Sequence, residues 1–90
     1  MKLSIIIPVY DAEKFLYKCL ESVCKQDLLI SDYEIIVIND GSTDHSEQII
    51  ADFQKIAENM VYSKQENKGV SAARNAGLVI AKGEFVTFVD

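Results

Sequence analysis

Glu34-Ile35-Ile36-Val37-Ile38-Asn39-Asp40-Gly41-Ser42-Thr43-Asp44 opens with four β-branched apolar residues in a row after a glutamate. Such a run reads as a strand buried on both faces, the kind found in parallel sheets. Asn39 and Asp40 break it, and Gly41 permits a tight turn. Asp44, with Glu47 three residues on, reads as a helix N-terminus with an acidic variant of the capping box. The unit is strand, acidic tip, turn, helix. It sets the Asp40 carboxylate beyond the carboxyl end of a buried strand, where open α/β sheets bind ligands. Two roles stand side by side for Asp40: a ligand contact, or a residue that caps its own turn.

The flanking sequence repeats the pattern. Leu3–Val9 reads as a first strand, with Pro8 near its end because proline cannot donate a ladder hydrogen bond. Ala12, Phe15, Leu16, Cys19, Leu20 and Val23 recur at helical spacing, as do Ile49, Ile50, Phe53, Ile56 and Ala57. Residues 60–63 make a short third strand and residues 65–69 a polar loop. Val70–Ile80 reads as a third helix, whose small residues Ala72, Ala73, Ala76 and Gly77 allow close approach to a sheet. Either Ser71 caps it or it begins at Gly69. Residues 84–89 form a fourth strand. The order β-α-β-α-β-α-β implies an α/β fold: a Rossmann-like parallel sheet with right-handed crossovers and strand order 3-2-1-4.

Ninety residues make one domain, and 49% apolar with 26% charged is a globular composition. A net charge of -5 argues against a general nucleic-acid binder, whose affinity comes from neutralising phosphates. It leaves room for a phosphate ligand, because a divalent metal held by carboxylates can supply positive charge. Cys19, Cys24 and His45 are too few for a zinc site. Both cysteines fall in the first predicted helix, where core packing is expected, and reduced thiols fit a cytoplasmic protein. The first eight residues are too short an apolar run for a secretory signal, and no stretch could span a bilayer. The chain stops on Asp90, at the tip of the fourth strand, and is read as part of a larger protein.

A parallel sheet brings Tyr10, Asp40 and Asp90 to one edge. Tyr10 could stack on a flat ring or serve as an interfacial aromatic. Arg74 falls near the start of the third helix, where the macrodipole disfavours a cation. Asp40, Asp90 or a ligand phosphate would relieve this; otherwise Arg74 belongs to a solvated face. There is no P-loop, no G-x-G-x-x-G and no hydrolase elbow. A receiver domain would need a phosphoacceptor Asp after the third strand, and residues 60–64 have none.

Four segments in order resemble glycosyltransferase family 2: Ser4-Ile5-Ile6-Ile7-Pro8-Val9-Tyr10, then residues 34–44, then Asn67-Lys68-Gly69-Val70-Ser71-Ala72-Ala73-Arg74-Asn75-Ala76-Gly77, then Gly83-Glu84-Phe85-Val86-Thr87-Phe88-Val89-Asp90. The resemblance implies the N-terminal, nucleotide-binding half of a GT-A fold over residues 1–90. It implies an enzyme that moves a sugar from a nucleotide diphosphate donor, commonly a UDP-sugar, to an acceptor with inversion. Mg²⁺ or Mn²⁺ is the usual cofactor. Pro8, Val9 and Tyr10 would border base and ribose, Asp40 would hydrogen-bond the base, and Arg74 would lie beside Asp40 and the nucleotide. Asp90 would open the D-x-D region that holds ribose and metal. Asp11 departs from the Asn common after the tyrosine. The acceptor site, the general base and the rest of the metal motif are expected elsewhere, so no catalytic base is assigned here. The alternative is a non-catalytic nucleotide-binding or interaction module of the same fold. On this reading Asp40→Ala weakens nucleotide binding with little effect on melting.

Overall fold

Alternation inside the two longest apolar runs decides which layer each side chain enters. In the computed structural model, which describes residues 1–89, β1 (Leu3–Val9) and β2 (Tyr33–Asp40) lie side by side in parallel, Leu3 opposite Tyr33 and Val9 opposite Asn39. Ile5, Ile7, Val9, Ile35 and Val37 point into one core; Ile6, Ile36 and Ile38 point into the other. Successive side chains on a strand face opposite ways, so a continuous apolar run feeds both layers.

The first layer is built by α1 (Glu13–Val23) and α2 (Ser46–Gln54), which bring Leu16, Leu20, Val23, Ile50 and Phe53 onto the sheet. The second is built by α3 (Val70–Ile80), whose Ala73 is fully buried against Ile6, Ile36 and Ile38. β3 (Met60–Gln65) pairs with β2, and β4 (Phe85–Phe88) pairs with β1, both in parallel. The order β3-β2-β1-β4 is the one expected, with its switch point between β1 and β4. β3 runs two residues further than expected, because Lys64 and Gln65 continue the ladder opposite Asn39 and Asp40.

Cys19 and Cys24 are unpaired thiols packed against the first core, and burial raises both pKa values. Cys24 does not lie within α1, as expected, but follows its last residue. A buried polar latch fixes the start of β4. The Ser4 hydroxyl donates to Glu34 Oε2 at 2.6 Å and accepts the Gly83 N–H at 2.8 Å. The Lys82 N–H donates to the same Glu34 oxygen at 2.7 Å. Among the described residues no helix is long and apolar enough to cross a membrane.

Close approach of α3 depends on Gly77. A Cβ there would lie 2.5 Å from Ile6 Cγ2, an atom held by the central strand. Ala is the better helix former by about 1 kcal/mol in an exposed helix, yet overpacking a core costs roughly 1–3 kcal/mol. Gly77→Ala is therefore expected to be net destabilising, read as a lower urea midpoint. A raised midpoint would mean that α3 is free to move off the sheet.

Candidate functional site

Asp40 is the last residue of β2 and only 2% exposed. A carboxylate this buried must find its hydrogen bonds in the chain. Oδ1 accepts from Gln65 Nε2 at 2.8 Å and from the Lys68 N–H at 2.8 Å. Oδ2 accepts from Asn67 Nδ2 at 3.2 Å and from the Gly69 N–H at 2.9 Å. Gly69 is the N-cap residue of α3, so Asp40, by taking the N–H groups of Gly69 and of Lys68 before it, anchors the turn that leads into the helix rather than the N–H groups of its first turn. Ser71, the candidate cap, lies inside the helix, whose N-cap is Gly69, next to the alternative start. Burial pushes the Asp40 pKa up, but the bonds from Gln65, Lys68 and Gly69 and the Lys68 charge outweigh it. The net shift is downward.

The turn after Asp40 is held on both sides. Asn39 is fully buried; its Oδ1 accepts the Ser42 N–H at 3.0 Å and its Nδ2 donates to the Tyr62 hydroxyl at 3.1 Å. Gly41 has a φ of +74°, and a Cβ there would lie 2.7 Å from the Asn67 nitrogen. The expected Asp44–Glu47 capping box does not form. α2 begins at Ser46, Asp44 Oδ1 accepts the Ser46 N–H at 2.9 Å, and Glu47 pairs instead with Lys64 at 3.0 Å. The other oxygen of Asp44 accepts the Glu13 N–H at 3.1 Å, while Ser46 Oγ accepts the Ala12 N–H at 3.0 Å. The β2–α2 loop thus caps α1, a helix with no side-chain cap of its own.

Between these strand ends lies a small cavity of about 180 Å³, lined by Pro8, Val9, Tyr10, Asp40, Asn67, Gly69, Val70 and Ala73. Four of the residues singled out in the sequence, Pro8, Val9, Tyr10 and Asp40, come together here. Asn67, Gly69, Val70 and Ala73 were given no site role by sequence reasoning, although Asn67 to Ala73 stand inside the third of the matching segments. A larger cavity of about 440 Å³, with Tyr17, Tyr33, Phe53 and Ile56 in its wall, lies by the start of β2 rather than its end.

Arg74 is the fifth residue of α3, past the first turn, so the helix dipole bears on it less than expected. Its guanidinium carbon lies 5.9 Å from the centre of the Phe88 ring. It does not line the cavity, and among the described residues the groups bound to the Asp40 carboxylate are those of residues 65–69. Asp90, assigned to ribose and metal, lies outside the described residues. Among those residues no three His, Cys, Asp or Glu side chains gather.

The model of glycosyl transferase family 2 matches residues 4–90. The chain belongs to this family. It is 47% identical over 89 residues to the glycosyltransferase GlyA of Streptococcus pneumoniae serotype 4, covering 99% of this chain and 12% of GlyA. It is 38% identical over 91 residues to the poly(ribitol-phosphate) beta-N-acetylglucosaminyltransferase TarS of Staphylococcus aureus, covering 100% of this chain and 16% of TarS. The crystal structure of S. aureus TarS 1-349 in complex with UDP-GlcNAc superposes with a TM-score of 0.92 at 39% identity, over 100% of this chain and 26% of that one. The chain therefore spans a small part of the length of these family 2 relatives.

The geometry changes one expectation within this family assignment. An Asp40 that ties down residues 65–69 cannot be removed without loosening the start of α3. Asp40→Asn swaps one acceptor oxygen for a donor facing N–H groups, and losing hydrogen bonds to a charged group costs about 1.5–3 kcal/mol. Because the folded pKa lies below the unfolded value of about 3.9, the carboxylate stabilises the fold above that pH. The stabilisation fades as pH falls through the folded value. Urea unfolding is expected to show the deficit of Asp40→Asn in full at pH 7 and to show it shrinking below pH ~4. A deficit independent of pH would mean that the charge plays no part.

Proposed function

We propose that this chain holds the nucleotide of a nucleotide-sugar donor, with uracil as the base, for an enzyme that transfers the sugar to an acceptor with inversion. The observation that carries the reading is the Asp40 edge of the small cavity. There a carboxylate acceptor is flanked by the Asn67 amide and the Lys68 and Gly69 N–H donors. The edge of uracil is the complement, an imide N–H between two carbonyls. Cytosine turns a ring nitrogen lone pair toward the carboxylate in place of that N–H. The carboxylate already accepts four bonds, so the imide must displace one of them. Gln65 and Asn67 give theirs from rotatable side chains, whereas the two backbone donors are fixed. A displaced Asn67 amide is left free to donate to a base carbonyl.

The cavity is smaller than the 300–1,000 Å³ or so that encloses a drug-sized ligand, which suits one ring but not a whole nucleotide sugar. Pro8, Val9 and Tyr10 supply its apolar and aromatic wall, and Tyr10 is 52% exposed, leaving its ring face open to a partner. The diphosphate needs another home. Helix N-termini attract phosphates when their N–H groups are free; Asp44 takes the first N–H of α1 and of α2, whereas Asp40 takes the Lys68 and Gly69 N–H groups ahead of α3. Neutralisation of the leaving diphosphate is assigned to the Mg²⁺ or Mn²⁺ ion that the family generally uses, with Asp90 among the groups that would hold it. Arg74, close to Phe88 on β4, is assigned to the nucleotide from that same side. The acceptor and the general base belong to other parts of the protein that carries this chain, and a cytoplasmic location fits its two unpaired cysteines.

Calorimetric titration of that intact protein with UDP, CDP, ADP and GDP tests the reading. UDP is expected to bind at least tenfold or so more tightly than CDP, the penalty for an unpaired or opposed group at a buried carboxylate. Arg74→Lys is expected not to restore what Arg74→Ala loses in turnover, because an ammonium cannot reproduce a planar fork of donors. Equal affinity for UDP and CDP would remove Asp40 from base recognition.

A further inference from the structure

The residue after Tyr10 has a backbone conformation that its side chain must justify. Asp11 has a φ of +46° and is the one non-glycine residue with positive φ among those described. L-residues avoid this region, and where one persists the surroundings hold it there. Glycine would adopt it without cost, so an aspartate here points to use of the carboxylate. That use is visible. Asp11 Oδ1 accepts the Thr43 N–H at 2.7 Å, and the Thr43 hydroxyl lies 3.4 Å from both carboxylate oxygens. The Asp11 N–H donates to Ser42 Oγ at 3.0 Å.

We propose that Asp11 is a positioning residue: its clasp on Ser42 and Thr43 sets Tyr10 against the cavity opposite Asp40. The proposal rests on the nucleotide reading above. Tyr10 lies one residue past the end of β1, and about half of its surface is exposed, so among the described residues the strand ladder ends before it. The corner it sits on is tied at the next residue to the loop that begins at Gly41. Ala12 and Glu13 extend the tie through Ser46 and Asp44, and the His45 ring meets the Glu13 carboxylate at 3.0 Å. The two walls of the cavity come from different strands, and this clasp makes them one unit. A loose corner leaves Tyr10 free to sample orientations, and binding must then bear the entropy of ordering it.

Three substitutions separate clasp from strain. Asp11→Asn keeps an acceptor oxygen and tolerates positive φ; Asp11→Gly relieves the φ but has no acceptor; Tyr10→Ala removes the group being positioned. In the intact protein, UDP affinity by calorimetry is read beside melting temperature. Asp11→Asn is expected to bind within about twofold of the unsubstituted protein, and Asp11→Gly about fivefold more weakly, the scale of one lost hydrogen bond. Melting of Asp11→Gly should change little, since relief of the φ offsets the lost bond. In a Tyr10→Ala background, itself weakened, the further change to Asp11→Gly should cost less than about twofold, because the two act through one group. Unaltered UDP affinity in Asp11→Gly, or a full additional loss in the Tyr10→Ala background, overturns the positioning role while leaving the nucleotide reading intact. An unsubstituted protein that does not bind UDP overturns the reading and this proposal together.

Discussion

A carboxylate at the carboxyl end of a buried strand, 2% exposed, takes its hydrogen bonds from the chain, and the site edge follows from how Asp40 is satisfied. Its two oxygens take the side chains of Gln65 and Asn67 and the backbone N–H groups of Lys68 and Gly69. Those bonds close the loop after β3 over the tip of β2. They fix where α3 starts, and α3 in turn fills the second core with Ala73 and approaches Ile6 through Gly77. One carboxylate therefore connects the ladder, the loop, the helix and the cavity wall. The binding role proposed for it is an addition to a structural one, and removing the charge disturbs both.

The same logic runs through the rest of the edge. Three helices begin there, and each needs acceptors for its first N–H groups. None takes them from a side chain at its own N-cap; Asp44 accepts the first N–H of both α1 and α2, while Asp40 holds the turn just ahead of α3. Negative charge at these positive ends is favourable and stabilises the fold. At α1 and α2 it also makes the edge unlike a phosphate-binding loop, where the N–H groups are left for the ligand. An acidic edge that recognises a base and leaves phosphates to a cation is a consistent division of labour.

The fold was legible because its signals are local. Apolar runs such as Ile35 to Ile38 and the helical spacing of Leu16, Leu20 and Val23 each declare an element, and alternation of elements declares a parallel sheet. Element ends were less legible. Lys64 and Gln65 look like loop residues, and only pairing with Asn39 and Asp40 makes them strand. Asp44 does mark the start of α2, but the box with Glu47 fails: Glu47 pairs with Lys64, and the second oxygen of Asp44 goes to Glu13, 31 residues away. Nothing in a local pattern announces such a bond. Within the site, Tyr10 and Asp40 could be found from strand ends, whereas Asn67, Val70 and Ala73 enter the wall only because Asp40 draws that loop inward. Asp11 stood out in the sequence only as a departure from the Asn common after the tyrosine; its significance lies in a dihedral angle.

The central claim is that the Asp40 carboxylate holds the Lys68 and Gly69 amides and shares that edge with a base. Amide hydrogen exchange at these two residues, followed by NMR with and without UDP, addresses it most directly. Both N–H groups lie in a loop and have no ladder partner, so protection must come from Asp40. The account predicts protection in the free protein and slower exchange still when UDP is bound. Exchange at the rate of an unstructured chain, or rates indifferent to UDP, would contradict it.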